Sequence, residues 1–280
     1  MPAVSPRRRR CGALLAELAV AVALGGVAAA IGGGILMAAE RRARRDATTD
    51  RAAQSAREVA HVLTTEISAS LTDSLVLRGD TALDLHAQVG VSLACVVTGD
   101  VVVLPGAQAT TGPPFSVWRL APEPGDLVVG FDTVDDGARW AARIDSAVAR
   151  TDGAGCATSS GFRTAADSVN RVPVWRLRLG SAAPPGAGTG WPLRVFRAGR
   201  WLVHRSADRS WWLAYRRCTS GSCGAAQPVA GPLAPGDSGL VVRRATPVVI
   251  EFDVRPASGV RPEAQRRYRV PLRSGGNAPP

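Results

Sequence analysis

The sequence predicts an α+β fold, in which one long N-terminal, membrane-spanning helix packs its distal half on an antiparallel β-sheet head. Three observations predict it. Leu18–Ala39 is an uncharged run of 22 residues, long enough to cross a bilayer at about 1.5 Å per residue. Ala52, Ala56, Val59, Leu63, Ile67 and Leu71 then recur at spacings of three and four, which defines one apolar helical face. From about Thr72 the apolar period falls from 3.6 to 2, as in Trp175, Leu177 and Leu179 alternating with Arg176 and Arg178.

The helical part divides into segments. Residues 1–12 are basic and acid-free, ending Arg7-Arg8-Arg9-Arg10-Cys11-Gly12. The helix is expected over 13–71, membrane-spanning over 13–39 and amphipathic over 40–71, because no Gly or Pro interrupts the chain between Ile35 and Arg78. At 1.5 Å per residue it is roughly 90 Å long. Four Arg precede the apolar run, and residues 40–51 carry five Arg against three acids, so the positive-inside rule orients it only weakly. A secretory signal has a shorter apolar stretch, of about 7–15 residues. In a lipoprotein signal the Cys follows the apolar stretch, whereas Cys11 precedes it. An ordinary signal anchor needs only a basic flank and an apolar run, and Glu17 is the residue it leaves unexplained. A carboxylate at the centre of a membrane helix costs roughly 2.5–3.5 kcal/mol and less near its end, so it calls for a partner.

Basic leader, Gly12, four apolar residues, Glu17 and a long apolar stretch together resemble the class III signal of type IV prepilins and pseudopilins. The resemblance implies cleavage between Gly12 and Ala13 by prepilin peptidase and N-methylation of Ala13. It also implies that Glu17 pairs with an N-terminal amine, its own or a neighbouring subunit's, during filament assembly. The chain departs from the family in starting Ala13-Leu14-Leu15 where Phe-Thr-Leu is usual, and in lacking the helix Pro. Gly25-Gly26 and Gly32-Gly33-Gly34 supply comparable local softness.

The head is expected over 72–273, followed by a frayed Pro/Gly-rich tail over 274–280. Strands are expected at Ser74–Arg78, Val89–Val97, Val101–Leu104, Asp126–Phe131, Arg171–Leu179, Leu193–Arg197, Arg200–His204, Trp211–Arg217, Gly239–Arg244, Pro247–Val254 and Arg267–Arg273. The hairpin carrying Leu213-Ala214-Tyr215-Arg216-Arg217, followed by Gln227-Pro228-Val229-Ala230 and a closing pair of strands, resembles the heads of J- or W-type minor pilins. No Phe, Trp or Tyr occurs before Phe115, so the aromatic core material belongs to the head.

Cleavage at Gly12 removes Cys11 and leaves Cys95, Cys156, Cys218 and Cys223, an even set suited to an oxidising compartment. Of the three possible connectivities, the short loop favours Cys218–Cys223 and therefore Cys95–Cys156. A zinc site usually has closer ligand spacing than these four offer, so no metal site and no cofactor is expected.

Gly236-Asp237-Ser238-Gly239 looks like the nucleophile loop of chymotrypsin-like proteases, but that chemistry needs a positioned His base. His61, His86 and His204 are the candidates, and none sits in that family's setting. A turn between strands explains the motif, and no enzymatic activity is expected. Asp132, Asp135 and Asp136 offer oxygen ligands for Ca²⁺ without the spacing of an EF-hand. Trp201, Trp211 and Trp212 read more simply as alternating strand residues than as a stacking surface. The formal charge of +11 comes from Arg alone and falls to +7 without Arg7–Arg10, scattered among acids, so no nucleic-acid partner is expected.

The sequence therefore points to a structural minor pilin or pseudopilin of a type IV pilus or type II secretion pseudopilus. Its expected partners are prepilin peptidase, other pilin or pseudopilin subunits and the inner-membrane assembly machinery. The expected location is a single pass through the inner membrane, with the head in the periplasm or on a surface filament. The alternative is a signal-anchored periplasmic protein whose β-rich head binds a ligand or hydrolyses a substrate.

Overall fold

A computed structural model describes residues 8–106, 116–131, 139–158, 161–219, 222–257 and 266–272, with backbone alone for 8–16 and Phe131. The leader before Arg8, the Asp132/Asp135/Asp136 cluster and the tail 274–280 lie outside the described residues. Helix α1 runs Arg8–Ala69. The chain divides into two compact units between Arg51 and Ala52, within α1, so the last turns of this helix belong to the head.

In the head unit the helical spacing becomes burial. Ala56, Val59, Ala60, Leu63 and Ile67 are at most 3% exposed, while Arg57, Glu58, His61 and Thr65 face solvent. The helix stops where Ser70 turns its hydroxyl and its N–H onto the carbonyl of Ile67, closing one of the orphan acceptors of the last turn. A short 3₁₀ turn, Thr72–Ser74, then leads into the strands.

These are β1 (Val76–Arg78), β2 (Ala82–Leu93), β3 (Val96–Thr98), β4 (Val101–Pro105), β5 (Ser116–Trp118), β6 (Leu127–Phe131) and β7 (Arg139–Arg150). After a five-residue helix α2 (Ala165–Val169) follow β8 (Val174–Leu179), β9 (Pro192–Arg205), β10 (Trp211–Thr219), β11 (Ser222–Cys223), β12 (Gln227–Leu233), β13 (Leu240–Thr246), β14 (Val249–Val254) and β15 (Arg266–Pro271). All are antiparallel. One sheet has the order β1-β2-β9-β6-β7-β8-β4-β3, with β10 also on β9, β11 and β12 on β10, and β5 on β2. A second sheet is β13-β14-β15.

The architecture is the α+β fold that the sequence predicts. Its apolar interior is double. The first core joins the α1 residues to Leu83, Leu85, Trp201 and Leu213 of the large sheet and to Val242, Ile250, Phe252 and Val270 of the small one. The second core gathers Val89, Val102, Leu104, Val128, Ile144, Leu177, Leu179, Trp191, Leu193 and Val195. Strands β2 and β9 run through both. On β9 the alternate residues Leu193, Val195, Arg197, Gly199, Trp201 and Val203 share one face, so a single strand serves the second core at its start and the first at its end.

Several regions differ from the sequence reading: the expected strand Val89–Val97 is shared between β2, which starts at Ala82, and β3, and β5, β11 and β12 are additional strands. The expected strands Leu193–Arg197 and Arg200–His204 are one strand, because Gly199 is not a turn. Tyr215 lies flat across it, and a Cβ there would collide with the ring. Residues 139–150, to which the sequence reading assigns no strand, form β7. Its alternation through Trp140, Ala142 and Ile144 is broken by a register shift between Ile144 and Ser146. Gly130 plays the same role under Trp191 in the second core as Gly199 does under Tyr215.

Candidate functional site

In the first unit the described side chains begin at Glu17. Leu18, Val20, Val22, Leu24, Val27, Ile31, Ile35, Leu36 and Met37 are all exposed. At roughly 1.5–3 kcal/mol for each fully buried side chain, these nine leave more than about 10 kcal/mol of transfer free energy unrealised in water. Lipid or other helices must supply it, which fits a single-pass, signal-anchor-like helix. Gly25, Gly26, Gly32, Gly33 and Gly34 have open space where a Cβ would stand, so another helix can approach the backbone closely.

Gly12 and Ala13 lie in helical backbone within α1. Glu17 is exposed one turn further on, and no cation pairs with it among the described residues. Past the apolar run, Arg41, Arg42, Arg44 and Arg45 are exposed, and Arg44 pairs with Glu40 at 2.5 Å.

The head's own charged centre was missed from sequence. Arg197 sits in the otherwise apolar row of β9, between the two cores. Its Nε and Nη2 donate to both carboxylate oxygens of Asp126, each at 2.8 Å, and Nη2 also donates to the carbonyl of Ala121 at 2.8 Å. Asp126 is 2% exposed and accepts a further hydrogen bond from the backbone N–H of Glu123 at 2.9 Å. Glu123 is shared, 3.6 Å from Arg197 and paired with Arg217. Burial pushes the Asp126 carboxyl above its ordinary value, and Arg197 offsets part of that rise. The available signal was an Arg falling on the apolar beat of Leu193-x-Val195-x-Arg197-x-Gly199-x-Trp201.

Nearby, Asp84 accepts from Arg200 at 2.5 and 3.0 Å and from Arg78 at 2.8 Å. Burial works against its charge, but the two guanidinium groups outweigh it and hold the carboxyl below its ordinary value. His86 on β2 has a buried Nδ1 without a hydrogen-bond partner among the described residues. Burial, reinforced by the Arg143 charge, lowers its pKa below 6.5. Such a histidine is neutral in the fold and more readily protonated when unfolded, so it costs stability as the pH falls below about 6.5. We predict that His86→Gln loses less stability than wild type between pH 7 and pH 5 in denaturant titrations. An equal loss in both chains contradicts this.

Cys95 is bonded to Cys156, and Cys218 to Cys223, with Cα separations of 5.2 and 4.0 Å. The first ties the loop before β3 to the segment before α2 and is buried with Val103 and Val174. The second closes the tip of the β10–β11 hairpin, where the two residues face each other in register. Loop closure over 61 and 5 residues gives expected stabilisations of about 4 and about 2 kcal/mol on the chain-entropy account. Paired Cys→Ala replacements should therefore lower unfolding free energies in that order, and the reverse order contradicts the assignment. A thiol count on a chain beginning at Ala13 should find no free Cys, and on the intact chain one.

The fold places two further motifs. Ser238 lies in a short 3₁₀ turn, Gly236–Ser238, and its hydroxyl donates to the Pro235 carbonyl at 2.7 Å. His61 lies on α1, His86 on β2 and His204 on β9, and among the described residues none of them hydrogen-bonds Ser238. Trp201 is buried in the first core, Trp211 packs against it, and Trp212 donates its Nε1–H to Ser210 at 2.7 Å. Among the described residues no group of three His, Cys, Asp or Glu is placed to hold a metal ion. Two disulfides mark the head as built in an oxidising compartment. No protein-family model, curated protein or solved structure matches the chain.

Proposed function

We infer that this chain is a minor pilin or pseudopilin subunit of a type IV pilus or type II secretion pseudopilus. The observation that carries the reading is Glu17, a carboxylate five residues past Gly12 that is unpaired among the described residues, at the head of an apolar helix whose side chains are exposed. The helix then continues, unbroken by Gly or Pro after Gly34, into the core of a disulfide-bonded β head. In this reading prepilin peptidase cuts the Gly12–Ala13 bond, Ala13 is N-methylated, and Glu17 neutralises an N-terminal amine inside the bilayer. The Gly-rich helix packs against those of other subunits as the inner-membrane assembly machinery lifts the subunit out. The head stands in the periplasm or on the filament surface. The same cut leaves four cysteines, and both disulfides use them all.

The second β core favours a second reading, since packing on the helix does not require it. It is a signal-anchored periplasmic protein whose extra β lobe binds a ligand or carries out hydrolysis. Mechanical shearing of cells distinguishes the two. The filament reading predicts the chain in the sheared fraction, and only where prepilin peptidase is present. Retention in the membrane fraction under both conditions contradicts it and supports the anchored protein.

A further inference from the structure

We propose that Arg41, Arg42 and Arg45 form a binding surface for the anionic headgroups of the bilayer that α1 crosses. The proposal rests on the membrane span alone and not on the filament reading. Its first basis is depth. The uncharged run Leu18–Ala39 covers about 33 Å at 1.5 Å per residue, against a hydrocarbon core of about 30 Å. Arg41 and Arg45 then fall about 3 and about 9 Å beyond Ala39 along the helix axis. The headgroup layer is about 5–8 Å thick on each side, so Arg41 and Arg42 lie within it and Arg45 stands at its outer edge, with a long side chain that reaches back to the phosphates.

The second basis is arrangement. At about 100° per residue, Arg41, Arg42 and Arg45 share an arc of roughly 100° on one side of α1. Arg41 and Arg45 are an i,i+4 like-charge pair, which is unfavourable without an anion between them. Arg44, on the flank of that arc, is the member neutralised within the chain, by Glu40. Arg42 has Asp46 four residues on, yet among the described residues Arg41, Arg42 and Arg45 make no ion pair, and all three are exposed. Three unneutralised guanidinium groups on a rigid helical arc match phosphodiesters, which accept from them bidentately. Polybasic residues beside a membrane helix are attracted to anionic lipid by general electrostatics.

The test titrates the detergent-purified, delipidated full chain with phosphatidylglycerol or phosphatidylcholine and counts bound lipids by native mass spectrometry. Arg7–Arg10 stay in every variant, so their contribution cancels. Wild type is expected to prefer phosphatidylglycerol by at least about tenfold. R41Q/R42Q/R45Q should lose most of that preference, and R41K/R42K/R45K should retain much of it. R266Q/R267Q/R269Q, an equal charge loss on β15, should leave it unchanged, and millimolar inorganic phosphate should not displace the lipid. The α1 variants should show wild-type unfolding transitions, because Arg41, Arg42 and Arg45 are exposed and make no ion pair among the described residues, whereas the β15 variant gives up Arg267–Asp253 and Arg269–Glu251 and should unfold at lower denaturant. Undiminished preference in R41Q/R42Q/R45Q, equal loss in the β15 variant, or displacement by free phosphate overturns the proposal. So does an R41Q/R42Q/R45Q-sensitive dimer in phosphatidylcholine alone, which would assign the arc to a second copy of the chain.

Discussion

Arg197→Ala is expected to lower the unfolding free energy of the head by about 3–5 kcal/mol, the usual cost of stranding one member of a buried ion pair. Asp126 would keep its Glu123 N–H but lose both guanidinium bonds while remaining nearly inaccessible to water. All seven Trp lie in the head, so their fluorescence in a denaturant titration reports this transition directly. Arg197→Lys should recover only part of the loss, because an ammonium cannot match the two-point geometry on Asp126 or reach Ala121 as well. Replacing the pair with apolar residues, Asp126→Leu with Arg197→Met, should cost less than Arg197→Ala alone, since no charge is then left buried. The pH dependence has a defined sign. Asp126 already titrates above its ordinary 3.8, and losing Arg197 raises it further. A carboxyl raised in the fold favours the folded state at low pH and loses that contribution as the pH rises through its folded value. The stability gap between Arg197→Ala and wild type should therefore narrow from pH 7 towards pH 4. A cost under about 1 kcal/mol, or a gap that widens in acid, contradicts the role given to this pair.

Glu17→Ala is expected to leave the protein fully membrane-inserted and at least about tenfold depleted from sheared filaments. Insertion should not suffer, because removing a carboxylate from the apolar helix eliminates a cost of up to roughly 2.5–3.5 kcal/mol. Assembly should suffer, because the filament reading gives Glu17 the task of neutralising an amine that otherwise enters the bilayer unpaired. Glu17→Gln separates charge from hydrogen bonding, and is expected to fail almost as badly as Ala. Glu17→Asp keeps the charge on a shorter arm and should assemble in part. Quantifying the chain in membrane and sheared fractions of the same cells checks all three. Undiminished incorporation of the Ala variant removes the assigned role.

The parts of the fold that were legible from sequence are those where local pattern and tertiary environment agree. The last amphipathic turns of α1 were readable because one face meets the first core from Ala56 to Ile67, so Ala56, Val59, Leu63 and Ile67 keep a single period, whereas residues 40–51 of the expected amphipathic stretch are exposed. Strands such as Val174–Leu179, with Arg out and Leu in, were readable for the same reason. Residues 139–150 were not, since Arg-Trp-Ala-Ala-Arg-Ile-Asp-Ser-Ala-Val-Ala-Arg is rich in helix formers and its alternation slips at the shift after Ile144. Pairing with β6 and β8 overrides that preference. Likewise β12 was unread because Pro228 and Pro232 argue against a strand, though its outer position beside β10 tolerates them. The division into two cores has no signature in the sequence, because β2 and β9 each contribute residues to both. Of the candidate site, Gly12, Ala13 and Glu17 came from leader chemistry alone, and the short Cys218–Cys223 loop came from spacing. Asp126 and Arg197 lie 71 positions apart, and only the pairing of β6 with β9 brings them together.

The chemical identity of the mature N-terminus tests the central claim most directly. N-terminal peptides are compared by mass spectrometry from cells with and without prepilin peptidase. The account predicts an N-methylated Ala13 when the peptidase is present and the intact leader when it is absent. A terminus that stays at residue 1 in both, or one that begins near Glu40, contradicts it.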